Sequence, residues 1–219
     1  EIDKYPWEMS LPMAARARLT REISLLNTDP PPGIAAYAPK ANDISSLRAQ
    51  ITGPEQSPFA KCVFLISIHV TGRYPFEPPR CRFLTPIYHP NIDSAGRICL
   101  DTLKSPPAGS WSPAVSLPSL LLSIKTLMGE PNPDDGLEPD ISDLYKTNVS
   151  KWTMEAKRRA NKDATVEKCQ ELEIKLDGND EQEKPKDKSV AVRVPQDAQE
   201  EGGSRKKMKL SFIRYTEHI

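Results

Sequence analysis

Three consecutive prolines, Pro30-Pro31-Pro32, and a second cluster at Pro75, Pro78 and Pro79 set the first limits on what this chain can fold into. Each ring fixes φ at about −65° and removes a backbone donor, so neither cluster fits inside a helix or a central strand. Before the first cluster, Leu19, Ile23 and Leu26 recur at helical spacing, with Arg16, Arg18 and Arg21 at other angular positions. That pattern predicts an amphipathic helix over residues 14–26, ended by the proline block. Between and just after the clusters, Ile34 to Tyr37, Ser46 to Ile51, Cys62 to Val70 and Arg80 to Leu84 have strand character. They predict a four-stranded antiparallel meander, with YPFEPP (residues 74–79) as a stiff connection rather than a strand.

Further along, Leu117 to Met128 reads as a buried helix, Ile141 to Tyr145 as a short one, and Val149 to about Leu176 as one long polar helix. Helix, then sheet, then helices is the order of an α+β fold. Residues 1–12 show no period and end in Pro12, so they read as a disordered leader, with Met13 the more natural start. From Asp177 the composition shifts to DGNDEQEKPKDKS, too polar to offset the entropy of ordering, which predicts a disordered charged tail over 177–219. The expected organisation is a core over 13–165 and a helix extension over 166–176 between leader and tail.

Lys plus Arg and Asp plus Glu are both 30, so any attraction to nucleic acid or an anionic membrane has to be local. The longest apolar runs, such as Leu120-Leu121-Leu122, fall far short of the ~20 residues that span a bilayer. Four cysteines without paired spacing do not make a disulfide framework, and free thiols in an intracellular protein follow. Cys62, Cys81 and Cys169 read as small buried hydrophobes.

Cys99 stands apart, because it ends the stretch IYHPNIDSAGRIC. Pro90 turns His89 away from helix and Asp93-Ser94-Ala95-Gly96 is a turn, so Asn91 and Cys99 flank a braced bend of the kind that carries chemistry. A zinc site would need clustered ligands and His89 with Cys99 makes two at most, and this pair does not follow the order of common cysteine proteases. No cofactor or metal is expected.

YPFEPP, then HPN, then Cys99 eight residues after Asn91, then Trp111-Ser112-Pro113, then PNPDD (131–135) together resemble the ubiquitin-conjugating enzyme family over about residues 13–165. FLTPIYHPNIDSAGRICLD followed by LKSPPAGSW further resembles its T-type branch, associated with monoubiquitination in Fanconi anaemia DNA crosslink repair. The resemblance implies that Cys99 accepts ubiquitin from an activating enzyme as a thioester, the thiolate being the attacking species. It implies transfer to a substrate lysine together with a RING-type ligase.

Asn91 then either donates its amide to the oxyanion formed in that step or braces the turn, and the two roles are not exclusive. Asp135, at the family's gate position, could accept a hydrogen bond from the incoming ammonium, with a helix-cap or turn carboxylate as its other reading. His89, Pro90 and Asp101 support the loop, His89 mainly as a structural ring. Phe76 with Trp111, Ser112, Pro113 and Ala114 resembles the hydrophobic contact for the ligase, and Arg18 and Arg21 the basic face that docks the activating enzyme. SRKKMK (204–209) reads as a nuclear address or as a weak phosphate contact, and the first reading, with crosslink repair, implies the nucleus, with the cytoplasm as a second location. Two rivals stay open: a catalytically silent scaffold of the same fold, and a nucleic-acid binder using the basic tail.

Overall fold

A computed structural model describes residues 11–40 and 43–180. The first helix, α1 (Met13–Thr28), leads into strands β1 (Ile34–Tyr37), β2 (Ser46–Thr52), β3 (Val63–His69) and β4 (Arg80–Phe83). The strands pair antiparallel in the order β1-β2-β3-β4, the expected meander. Alternation along β2 sends Leu47, Ala49 and Ile51 into the core, where they meet Leu19 and Leu26 of α1 and Phe64, Ile66 and Ile68 of β3. After the sheet come α2 (Leu117–Gly129), α3 (Pro139–Thr147), α4 (Val149–Asp163) and α5 (Val166–Asp180), completing an α+β domain.

α2 is the apolar helix of the core, with Leu117, Leu120, Leu121, Ile124 and Met128 buried. Its start is fixed by a capping box in which the Ser116 hydroxyl accepts the Ser119 N–H while the Ser119 hydroxyl accepts the Ser116 N–H. α1 departs from a purely apolar inner stripe, because Glu22 stands on it and is buried.

Three boundaries differ from expectation. The single long helix from Val149 is two helices, broken at Ala164 and Thr165. The Ala164 carbonyl accepts the N–H of Val63 at 2.9 Å, fastening the break to the start of β3, and the Thr165 hydroxyl accepts the Lys168 N–H at 3.3 Å to start α5. The end of the leader belongs to the fold: Leu11 packs against the core and the Pro12 carbonyl accepts the Arg16 N–H. Helix α5 also runs past Asp177, where the tail was expected to begin. The rest of the leader and of the tail, with the basic run 204–209, lies outside the described residues.

Among the described residues no helix is long and apolar enough to cross a membrane, and no group of three His, Cys, Asp or Glu side chains is placed to hold a metal ion. All four cysteines are free thiols; Cys62 and Cys169 are buried and Cys81 is half-buried.

Candidate active site

The loop from Ile87 to Asp101 takes its shape from Asp93 and Gly96. The buried Asp93 carboxylate accepts the backbone N–H groups of Ala95 at 3.0 Å and Arg97 at 2.8 Å, and the Arg97 guanidinium at 2.5 Å. Gly96 has φ +79°, and a Cβ there would fall 2.0 Å from the Phe83 carbonyl oxygen, so only glycine makes this turn. The Phe83 N–H donates to the Gly96 carbonyl at 2.9 Å, tying the loop to β4, and the Cys99 N–H donates to the Asn91 carbonyl at 2.9 Å. Asn91 and Cys99 are thereby neighbours across the bend.

His89 is fully buried, and both of its ring nitrogens are engaged. Nε2 lies 2.9 Å from the Leu127 carbonyl oxygen and Nδ1 accepts the Asn91 N–H at 3.0 Å, so the partners assign a neutral ring protonated on Nε2. Burial drives its pKa down to about 4, against the smaller opposing effect of the Leu127 carbonyl. A ring with no exposed lone pair cannot serve as a base, which leaves the structural role.

A group with a depressed folded pKa stabilises the protein above its unfolded value, near 6.5, and loses that contribution as pH falls toward about 4. Wild-type stability should therefore fall below pH 6.5 faster than that of His89→Gln, by up to about 1.4 kcal/mol per pH unit. Urea unfolding across that range is the measurement, and parallel curves would refute the assignment.

Asn91 is buried and uses its whole amide on the turn opposite. Nδ2 donates to the carbonyls of Asn132 at 2.6 Å and Asp135 at 3.0 Å, while Oδ1 accepts the Asn132 N–H at 2.9 Å. Pro90 adds to the same seam, its carbonyl accepting the N–H groups of Leu137 at 2.8 Å and Glu138 at 3.2 Å. Of the two readings, this geometry is the brace, since both amide hydrogens are committed. Asn91→Ala strands an N–H and two carbonyls, and we expect it to cost about 3 kcal/mol in urea unfolding. A loss under about 0.5 kcal/mol, within the range of an ordinary surface substitution, would remove the brace from the account.

The brace presents Asp135 to Cys99. Cys99 is recessed, 9 % exposed, and its Sγ lies 3.0 Å from Asp135 Oδ2. Lys104 Nζ stands 2.9 Å from the same oxygen. Burial raises the Cys99 pKa, the Asp135 carboxylate raises it further by accepting the S–H, and the Lys104 ammonium opposes both. The carboxylate is held below its usual range by that thiol hydrogen bond and by Lys104. Both partners of the thiol reach solvent, the Asp135 side chain being 53 % and that of Lys104 34 % exposed. Asp101 stays solvated, its carboxylate 3.9 Å from Lys104 Nζ.

The sequence reading missed Lys104. It lies in LKSPPAGSW, where no periodicity marks it, and only the folding of residues 101–111 brings its amine to Asp135.

A second surface is built on Phe76 and the loop after Trp111. Phe76 is 77 % exposed, with Pro113 and Ala114 also exposed and Ser112 half-buried. Trp111 departs from the expected exposed surface: it is 2 % exposed, stands 6.0 Å from the Tyr74 ring, and its Nε1 donates to the Pro75 carbonyl at 2.9 Å. It is therefore the strut joining the two loops that present Phe76 and Pro113.

Arg18 also departs from the expected open basic face. Its Nε donates to Glu22 at 2.8 Å, an NH2 group donates to the Val115 carbonyl at 2.9 Å, and the guanidinium lies over the Tyr74 ring. Glu22, which the sequence reading passed over, is the hub, accepting the Tyr74 hydroxyl at 2.5 Å and the Leu117 N–H at 3.2 Å. A lone acid in the phase of Leu19 and Leu26 was the available signal. Arg21 is exposed, as a docking residue needs.

Comparison with known proteins adds the following. A family model described as "Ubiquitin-conjugating enzyme" matches residues 18–160, more than half of the chain. "Ubiquitin-conjugating enzyme E2 T" of Bos taurus is 52% identical over 152 residues, covering 69% of this chain and 77% of the relative. The protein of the same name from Homo sapiens is 48% identical over 165 residues, 75% of this chain and 83% of the relative. "Ubiquitin-conjugating enzyme E2 13" of Schizosaccharomyces pombe is 46% identical over 136 residues, 62% of this chain and 88% of the relative.

Proposed function

The chain belongs to the ubiquitin-conjugating enzyme family, and on that premise we propose that Cys99 carries ubiquitin as a thioester and passes it to a substrate lysine. The observation that carries this reading is the convergence on one carboxylate oxygen of a thiol at 3.0 Å and an ammonium at 2.9 Å. In the first step the Cys99 thiolate attacks the carbonyl that joins ubiquitin's C-terminal glycine to a cysteine of the activating enzyme. A new S–C bond forms, and the activating enzyme leaves as a thiolate.

In the second step a lysine amine attacks the same carbonyl, the oxyanion collapses, and Cys99 leaves as a thiolate. Asp135 is the group placed to accept the proton that the ammonium must give up. Lys104 occupies that spot in the resting protein and yields it to the acceptor. Asn91 acts here by holding Asp135 in place.

The partners that follow are ubiquitin, an activating enzyme at the Arg21 face of α1, and a RING-type ligase at Phe76, Pro113 and Ala114. An exposed aromatic on a proline-stiffened loop suits that contact, because little freedom is left to lose on binding. We assign the reaction to monoubiquitination in DNA crosslink repair, and the protein to the nucleus. These finer assignments rest on the T-type resemblance of the stretch from Phe83 to Trp111 and on the basic run 204–209.

Incubation with activating enzyme, ATP and ubiquitin tests the reading. The expected product is one adduct, cleaved by a thiol reductant and discharged by free lysine, and preferential loading of another modifier would overturn the choice of ubiquitin.

A further inference from the structure

The two loops that present Phe76, Pro113 and Ala114 contain no strand or helix: residues 71–79 and 110–116 are turns and extended chain. Local bonds shape each of them, the Phe76 N–H donating to the Arg73 carbonyl at 2.8 Å and the Val115 N–H to the Ser112 carbonyl at 3.0 Å. Among the described residues no backbone hydrogen bond joins one loop to the other, so side chains set their spacing. One tie is direct, from Trp111 Nε1 to the Pro75 carbonyl at 2.9 Å. The second runs through α1. The Tyr74 hydroxyl donates to Glu22 Oε2 at 2.5 Å, and the same oxygen accepts the Leu117 N–H at 3.2 Å. Glu22 Oε1 accepts Arg18 Nε at 2.8 Å, and the other end of that guanidinium donates to the Val115 carbonyl at 2.9 Å.

Glu22 is 5 % exposed and stands in the phase of Leu19 and Leu26, where a leucine would bury more apolar area. A buried ion pair is often no more stabilising than apolar residues of similar volume, so core stability alone gives no reason for an acid at this point. A carboxylate does what a methyl group cannot, accepting directed bonds from three elements at once: α1, the loop of Tyr74 and the start of α2. Tyr74 is fixed as a donor, because burial first and the carboxylate second raise the pKa of its hydroxyl.

We propose that Glu22 is the positioning residue of the ligase surface, holding the loops of Phe76 and Pro113 at one spacing through Tyr74 and Arg18. The inference rests on the ligase reading above and adds what presets that surface. It also moves Arg18 from the face that docks the activating enzyme into this clamp, and leaves that face to Arg21. Without the clamp the loops become ordered only when a partner binds, and the cost of ordering them lowers affinity. Once bound, the partner restores the spacing itself. The defect therefore falls on half-saturation and spares the saturated rate.

The probe is an isolated RING domain, taken from a panel because it accelerates discharge of the ubiquitin-loaded wild-type chain onto free lysine. Its half-saturating concentration should rise at least tenfold for Glu22→Gln and at least threefold for the milder Tyr74→Phe, with the saturated rate within twofold of wild type. Arg18→Ala should act on the same step. Loading by the activating enzyme, and discharge without the RING domain, should stay within twofold for the Glu22 and Tyr74 variants, because neither side chain bonds to Cys99, Asp135 or Lys104. Hydrogen exchange should quicken for the amides within 73–77 and 111–115 and not for those within 87–101.

A half-saturating concentration within twofold of wild type, a loss confined to the saturated rate, an equal loss in loading, or unchanged exchange of the two loops would overturn the proposal. A panel in which no RING domain accelerates the wild type would overturn the ligase reading and this proposal with it, so the two failures are told apart.

Discussion

Cys99→Ala takes up no ubiquitin from a charged activating enzyme, and Cys99→Ser gives at most a slow adduct that survives thiol reductant. Loss in the alanine variant is complete because the acyl group has no sulfur to bond to. The serine variant keeps the geometry beside Asp135 but replaces a thiol with a far less acidic hydroxyl that stays protonated at any working pH. Its product is an oxyester, which neither thiols nor amines cleave readily. Cys62, Cys81 and Cys169 cannot substitute, since burial raises the pKa of each and pushes Cys81 and Cys169 to about 12. The wild-type Cys99 pKa is itself raised, first by burial and then by Asp135, so wild-type loading should quicken as pH climbs from 7 toward that pKa. A reductant-sensitive adduct on Cys99→Ala would remove the premise of the whole mechanism.

The parts of this protein that were legible in its sequence are those set by local chemistry. Prolines mark where elements cannot run, β-branched and aromatic stretches mark strands, and Asp93 to Gly96 marks the bend, so the meander and the loop carrying Cys99 follow from neighbours in the chain. The break between α4 and α5 was not legible because its cause is remote: Val63 offers an unpaired N–H that the Ala164 carbonyl satisfies. Trp111 reads as a surface aromatic beside Ser112 and Pro113 until the fold brings its ring to Tyr74 and its Nε1 to Pro75. Arg18 reads as a free cation until Glu22 and Val115 close around it. Lys104 and Asp135 are thirty-one positions apart, and the fold brings the Lys104 ammonium to the Asp135 oxygen that also accepts the Cys99 thiol, on a turn that Asn91 braces. Spacing along the chain finds the nucleophile, and three-dimensional contact finds the groups that set its proton balance.

Those groups make Asp135→Asn the substitution that separates the two half-reactions. The amide cannot hold a negative charge beside Cys99, so the thiol pKa should fall and loading at pH 7 should be as fast as wild type or faster. Discharge onto free lysine should slow by about 100-fold, the lower end of what a positioned proton acceptor contributes. The sign with pH follows from the acceptor. At pH 7 an amine of pKa about 10.4 is almost wholly ammonium, and the carboxylate takes the proton it must shed; near pH 10 much of it is already free. The deficit of Asp135→Asn should therefore shrink steadily as pH rises, while the loading profile shifts toward lower pH. Single-turnover assays of preloaded enzyme, run beside loading assays at the same pH values, separate the two effects. Equal losses in loading and discharge would reduce Asp135 to a residue that only shapes the loop, and a deficit independent of pH would exclude it as the proton acceptor.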